Sequence, residues 1–359
     1  MADSKNIQRR KEQYRNTILQ IIRNDPYASR SSIKTSCGLS METVLQTIDG
    51  LLQEDLIYES GFGSAQVGRK ATFLSIRPEG KYFIGLKFTA LNLCGVALDF
   101  AGKTVQAMET PVPAGITAAD LISMLFACIR SLLCALGAQQ ARVCGIGIGG
   151  PGVVDRKTGV FVRYASIQTL INVPIKRMVE AEFGLPTFID HSLKAAAIAH
   201  QMAPENADME NLLYVVVKSG VGMVVILRRE VYSGINNAAG EIGHMKVREN
   251  GRLCSCGRYG CLESEIGYRA LCDKMREGWV AGGFPTLRGL LPADCASPGL
   301  HDFLTAVEME DPDARKLFRE ACLLLAGVLV PAVTLLNPQK IIFSGDLPVI
   351  PGFLDFMRR

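Results

Sequence analysis

Apolar side chains recur at helical spacing through the first stretch of the chain. Tyr14, Ile18, Ile21 and Ile22 fall on one face of a helix predicted from about Lys5 to Asn24. Asp25-Pro26 ends it, because the residue before a proline is pushed out of the helical region. Ser31 and Ser32 are N-cap candidates for a short second helix running to about Cys37, and Gly38 makes a turn. Ser40 then caps a third helix, from Met41 to about Glu54, with Val44, Leu45, Ile48, Leu51 and Leu52 on one face. Leu56-Ile57-Tyr58 and Phe73-Leu74-Ser75-Ile76 read as short strands flanking a glycine-rich, basic loop from Gly61 to Lys70.

Helix, helix, turn, helix, hairpin is the order of a winged helix-turn-helix. After about Gly80 the pattern changes to apolar runs. Strands are predicted at 82–88, 93–100, 104–110, 143–148, 186–189, 212–218 and 223–227. Helices are predicted at 118–137, 174–183 and 192–202. Alternating strands and helices indicate an α/β domain of two similar lobes. The Pro78-Glu79-Gly80 step is the expected boundary, giving a domain of residues 1–78 and a second of residues 79–359.

Composition sharpens this. With 48% hydrophobic and 21% charged residues the chain has ample material for a core, which excludes wholesale disorder. The net charge of +4 is mild, but it hides a basic N-terminus: eight Lys and Arg against three acids in residues 1–38. The first residues are polar, without the apolar segment of a secretory signal. The longest apolar stretch, Leu323 to Leu336, is short for a membrane span and contains Pro331. A cytoplasmic protein without a membrane partner is expected. Of 11 cysteines, three crowd into positions 254, 256 and 261, and the others are scattered singly, which suits a reduced compartment and one metal cluster.

That cluster is the sharpest motif. His244, Cys254, Cys256 and Cys261 offer one imidazole and three thiolates, a closed tetrahedral set for structural zinc. Soft sulfur ligands select zinc over magnesium or calcium, and Gly257 and Gly260 let the loop fold back.

The stretch Gly240-Glu241-Ile242-Gly243-His244-Met245, followed by Cys254-Ser255-Cys256-Gly257 and Gly260-Cys261-Leu262-Glu263, resembles the signature of the ROK family of repressors, open reading frames and sugar kinases. Gly145 to Asp155 is similar to that family's Gly-Pro-Gly strand and turn, and residues 11–80 resemble the winged helix of its transcriptional regulators. The resemblance implies an N-terminal winged helix-turn-helix followed by an actin-like, two-lobed domain of the sugar-kinase type with a sugar cleft, serving as effector and dimerisation domain. It also implies that a further helical segment usually follows the strand represented here by Lys340 to Phe343.

Against the family's kinases two stretches are altered. Where a phosphate-binding Asp-x-Gly-Gly-Thr turn is expected, this chain reads Lys87-Phe88-Thr89-Ala90-Leu91. The second phosphate segment, Lys218 to Gly222, is partly kept. The proton-accepting Asp position, aligned on Ala195-Ala196-Ala197, is Ser192, which cannot serve as a base near neutral pH without a partner. Asp190 and His191 lie close by. No catalytic residue and no enzymatic activity are therefore expected. The resemblance assigns the sugar-facing positions to Gly150, His191, Ser192, Glu241, His244 and Glu263, His244 also ligating zinc. The alternative is that Glu241 and Glu263 are surface acids or braces of the zinc loop.

In a helix-turn-helix the start of the third helix meets base edges. Met41, Glu42, Thr43, Gln46 and Thr47 are its expected exposed positions. Ser31 and Ser32 suit a phosphate, and Arg69 and Lys70 on the wing suit a minor groove. The expected protein is a sugar-responsive repressor of carbohydrate-metabolism genes. Its expected partners are an operator duplex, a sugar or sugar-phosphate effector, and a second copy in a homodimer or higher homo-oligomer. The competing readings are an ATP-dependent hexose kinase with an appended DNA-binding head and a zinc-stabilised scaffold.

Overall fold

Three helices open the computed structural model, which describes residues 2–62, 72–206, 208–235, 237–291 and 298–358, the side chains of 2–7 and 62 set aside. They are α1 (Ala2–Asn24), α2 (Arg30–Cys37) and α3 (Met41–Gln53). The cap of α2 is Ser29, not Ser31 or Ser32. Ser29 is extended, its hydroxyl accepts the Ser32 N–H at 3.2 Å, and the Ser32 hydroxyl accepts the Ser29 N–H at 2.8 Å. Gly38 turns the chain in the left-handed conformation, and Ser40 caps α3 as expected.

The buried stripe of α3 is Val44, Ile48 and Leu51, packed with Ile18, Ile22, Ile33, Leu56 and Leu74. Leu45, expected on that face, is 38% exposed. It is rotated about 100° from Val44, and the stripe continues at 48 and 51 instead. Strands β1 (Ile57–Phe62) and β2 (Thr72–Ile76) pair antiparallel as the hairpin.

The chain divides into two compact units, Met1–Ala195 and Ala196–Arg359. After the hairpin the first unit builds a sheet from β3 (Tyr82–Phe88), β4 (Asn92–Asp99), β5 (Thr104–Pro111), β6 (Val143–Gly150) and, later in the chain, Thr187–His191. Strands β3 to β5 form an antiparallel meander, and β6 lies parallel to β3. Helix α4 (Ala118–Leu136) covers this sheet with Leu121, Leu125, Ile129 and Leu132. A small sheet of β7 (Val153–Asp155), β8 (Val160–Arg163) and β9 (Ile171–Val173) has no counterpart in the sequence pattern, since strands of three or four residues carry too little periodicity. Helix α5 (Ile175–Phe183), strand β10 (Thr187–His191), parallel to β6, and the start of α6 (Ser192–Gln201) complete the unit.

The second unit holds a sheet of β11 (Leu212–Val217), β12 (Val221–Leu227), β13 (Glu230–Tyr232) and β14 (Lys340–Gly345), in the order β13-β12-β11-β14. Helices α7 (Leu262–Ile266), α8 (Tyr268–Val280), α9 (Pro285–Arg288), α10 (Leu300–Glu308) and α11 (Pro312–Leu336) pack with it, and α12 (Phe353–Met357) follows β14. By length and composition alone, α11 and the segment from Ala118 through Arg142 could each cross a membrane, which reading runs of uncharged residues did not bring out. Each buries one stripe in its own unit's core: Leu125 and Ile129 in the first, Cys322, Leu325 and Leu329 in the second.

Candidate functional site

The four metal-ligand candidates converge in the second unit. Gly240 has φ +86°, and a Cβ there would sit 1.8 Å from the Met223 carbonyl, so β12 and the segment leading to His244 approach as only glycine allows. The cysteine loop is shaped by two turn bonds, Cys254 N–H to the Arg258 carbonyl at 2.8 Å and Gly257 N–H to the Cys254 carbonyl at 2.9 Å. His244 Nδ1 lies 3.5 Å from the Cys254 sulfur, and the Cys256 and Cys261 sulfurs lie 3.7 Å apart. All four ligand atoms lie within 4.8 Å of one another. Tetrahedral zinc, with bonds of about 2.0–2.3 Å, needs ligand–ligand edges of about 3.5–3.8 Å. The donor set and two of its edges fit that ion.

Arg258, hydrogen-bonded to Cys256, holds that thiol down at about 6, while burial pushes the Cys261 thiol up to about 12. Metal must therefore displace a proton from Cys261 near neutrality, and affinity falls as the solution is acidified.

A carboxylate that sequence reasoning missed stands behind the loop. Glu265 is 2% exposed. Its Oε1 accepts the Arg252 N–H at 2.8 Å, and its Oε2 faces Arg248 Nε at 3.5 Å and Lys274 Nζ at 3.2 Å. Glu320 on α11 pairs with both cations. Gly251 leaves room for this, since a Cβ would sit 2.5 Å from Glu265 Oε1. Glu265→Ala removes one of the two carboxylates that face Arg248 and Lys274, leaving Glu320, and takes the acceptor from the Arg252 N–H. A loss of about 2 kcal/mol is expected in denaturant unfolding, with faster transfer of bound metal to a chelator. Glu265→Gln, which can still accept the Arg252 N–H, is expected to fall between alanine and wild type.

The sugar-facing candidates divide between the units. Glu241 is exposed, with Oε2 4.0 Å from His244 Nε2, so the imidazole edge away from the cysteines faces a carboxylate. Glu263 is engaged internally: it accepts the Val221 N–H at 3.1 Å and the Ser255 hydroxyl at 3.4 Å. In the first unit Gly150 is buried, and a Cβ would sit 2.4–2.5 Å from the rings of Phe161 and Phe88. His191 Nδ1 accepts the Leu193 N–H at 3.2 Å at the start of α6, where Ser192 is half-buried. Asp190 Oδ1 accepts the His191 N–H at 2.8 Å, and its Oδ2 lies 3.7 Å from Arg156.

The turn between β3 and β4 is closed on itself. Thr89 Oγ1 accepts the N–H groups of Leu91 and Asn92 at 3.1 and 3.0 Å. Thr89 N–H bonds to the Asn92 carbonyl at 2.8 Å, and Ala90 N–H to the Tyr164 hydroxyl at 3.2 Å. All four of these turn amides already have acceptors within the protein.

On α3, Met41, Glu42 and Gln46 are exposed, and Gln46 Nε2 donates to Glu42 at 3.4 Å. Thr43 and Thr47 are half-buried, their hydroxyls bonded to the Ser40 hydroxyl at 2.9 Å and the Thr43 carbonyl at 2.7 Å. Ser31 is exposed in the first turn of α2, and Ser32 is committed to the cap. Arg69 and Lys70 lie outside the described residues.

Comparison with known proteins places this geometry. The sequence pattern of the ROK family matches residues 84–359. A Caldicellulosiruptor sp. (strain Rt8B.4) protein, provisionally named a xylose repressor, is 32% identical over 259 residues, covering 72% of this chain and 65% of its own. The chain thus spans just under two thirds of that relative's length. The DNA-binding transcriptional dual regulator NagC of Escherichia coli (strain K12) is 24% identical over 319 residues, 89% of this chain and 77% of its own. In fold, the chain is similar to a ROK family transcriptional regulator described as a homolog of the E. coli MLC protein, with a TM-score of 0.79 and 22% identity, over 97% of this chain and 88% of that one. The α/β architecture expected from the sequence is the one found, and the chain belongs to the ROK family.

Proposed function

We propose that this chain is a sugar-responsive, DNA-binding transcriptional repressor whose sugar-kinase-type domain binds its effector without phosphorylating it. The observation that carries the second half is the turn after β3. A phosphate-binding turn needs free backbone amides, and here Thr89 and Tyr164 accept three of them while the fourth closes the turn. The expected base position holds Ser192, and the two neighbouring candidates, Asp190 and His191, have hydrogen-bond partners of their own. The first half is supported by the capped α2-turn-α3 unit and by the names of the relatives.

In this reading α3 enters a major groove, Ser31 and the basic side chains of α1 meet phosphates, and Arg69 and Lys70 reach a minor groove. Two copies present two such helices to two half-sites. Zinc, held by His244, Cys254, Cys256 and Cys261, is structural, because four protein ligands leave no open position. Glu241, beside His244, is the exposed acceptor for sugar hydroxyls. A sugar shifts operator affinity only by as much as it binds the DNA-competent and DNA-incompetent states unequally.

The kinase alternative is tested by coupled ADP release with ATP and a panel of hexoses. No sugar-dependent turnover above background is expected. Turnover that disappears on Asp190→Asn or His191→Gln would replace the repressor reading with an enzyme.

A further inference from the structure

The exposed side of α3 carries two large apolar side chains among Glu42, Gln46 and Asp49. Met41 is 40% exposed and Leu45 is 38% exposed. They stand one helical turn apart, in the half of α3 that follows its Ser40 cap. Between Lys34 and Arg69 the sequence contains no Lys or Arg, so α3 has no side chain for the bidentate contact to guanine O6 and N7. The acids of that stretch are largely occupied. Glu54 is paired with Arg15, Asp55 with Arg77 and Arg142, and Glu59 with Arg30. Glu42 accepts from Gln46, and Asp49 lies two turns farther along the helix. What the start of α3 presents to a groove is therefore two apolar side chains beside the Gln46 amide and the Glu42 carboxylate that this amide contacts.

In the major groove the apolar feature of a base pair is the C5 methyl of thymine, and a Gln amide pairs with adenine N6 and N7. We infer that Met41 and Leu45 read thymine methyl groups, so that the bases under α3 are A·T pairs, with Gln46 on an adenine. Affinity then comes from the cations of α1, α2 and the wing, and sequence preference from this face, which carries no cation. The inference rests on the proposed DNA-reading role, and it names the bases that role selects.

The test uses the full chain. A tight duplex is first selected from a random pool, and its thymines are then replaced one at a time by uracil, which pairs identically and lacks only the methyl. Burial of one methyl group is worth about a four-fold change in affinity. One or two positions in each half-site are expected to weaken by about that factor on replacement. Leu45→Ala, at an exposed position that leaves the core intact, is expected to bind the thymine and uracil duplexes equally at one of them, and Met41→Ala at another. Equal binding of both duplexes by the wild-type chain at every position overturns the inference while leaving DNA binding in place, and assigns the apolar pair to a protein contact. A preference that survives both substitutions also overturns it. A pool that yields no bound duplex overturns the DNA-reading role itself.

Discussion

Stripping the metal from the His244, Cys254, Cys256 and Cys261 cluster is expected to lower the melting temperature of the second unit by about 10 °C or more. Structural zinc contributes folding free energy outright, with apparent values of about 10 kcal/mol and more in small zinc modules. In a larger unit only the loop and the helices it touches depend on the ion. A share of about 5 kcal/mol corresponds to roughly 10–20 °C at this size. The dependence follows from what the loop lacks. Cys254 and Cys261 are buried, and Gly251, Gly257 and Gly260 add no side chains to pack. Calorimetry of the chain as purified and after chelation reads the difference directly, and Cys261→Ser should reproduce most of it. Acidification should act in the same direction, because protons compete with the metal for every thiolate. Identical melting before and after chelation would leave the cluster as three thiols and a histidine with no ion.

Gly260→Ala is expected to be severe and Gly257→Ala mild, although both glycines have positive φ in the same loop. At Gly257, with φ +85°, an added Cβ meets nothing within 4 Å, so the cost is backbone strain alone, about 1–2 kcal/mol. At Gly260, with φ +73°, the added Cβ would sit 1.8 Å from the Arg248 carbonyl. The same carbonyl segment receives the return of the loop, since the Val247 and Arg248 N–H groups both bond to the Gly260 carbonyl at 2.7 and 3.2 Å. Relieving the clash moves either the Arg248 segment or Cys261, the next residue and a candidate metal ligand. A total of about 4 kcal/mol or more is expected, together with loss of bound metal, which a zinc-sensitive dye measures alongside denaturant unfolding. Equal effects of the two substitutions would contradict this geometry.

Several features were legible because a single physical cause fixed them. The run Tyr82–Phe88 is a strand with alternating buried side chains, and the capped apolar stretch at 118–136 is a helix, as their patterns indicated. The four candidate metal ligands were legible from residue type and spacing, and the fold brings their ligand atoms together. Other features depended on neighbours remote in sequence. Leu45 fits an apolar face by pattern, but the fully buried stripe of α3 is Val44, Ile48 and Leu51, with Leu52 partly buried against it, and Leu45 stays outside. Glu263 is engaged by the Val221 amide, forty-two residues earlier in the chain. Gly150 is a glycine because Phe88 and Phe161 close over it, which no local motif reveals. Glu265 carries no signal of its own in the sequence, because its partners Arg248, Arg252, Lys274 and Glu320 come from separate segments of the chain.

In the proposed function a sugar signal is read out on DNA. Its most direct test is the affinity of the purified, metal-loaded chain for its selected duplex, titrated with each member of a panel of pentoses, hexoses and their phosphates. Coupling free energies of about 1–3 kcal/mol predict that at least one sugar changes the duplex affinity by roughly 5- to 150-fold, with the duplex changing the affinity for that sugar by the same factor. An affinity that stays constant across the whole panel would mean that no tested sugar is coupled to DNA binding, against the proposed function.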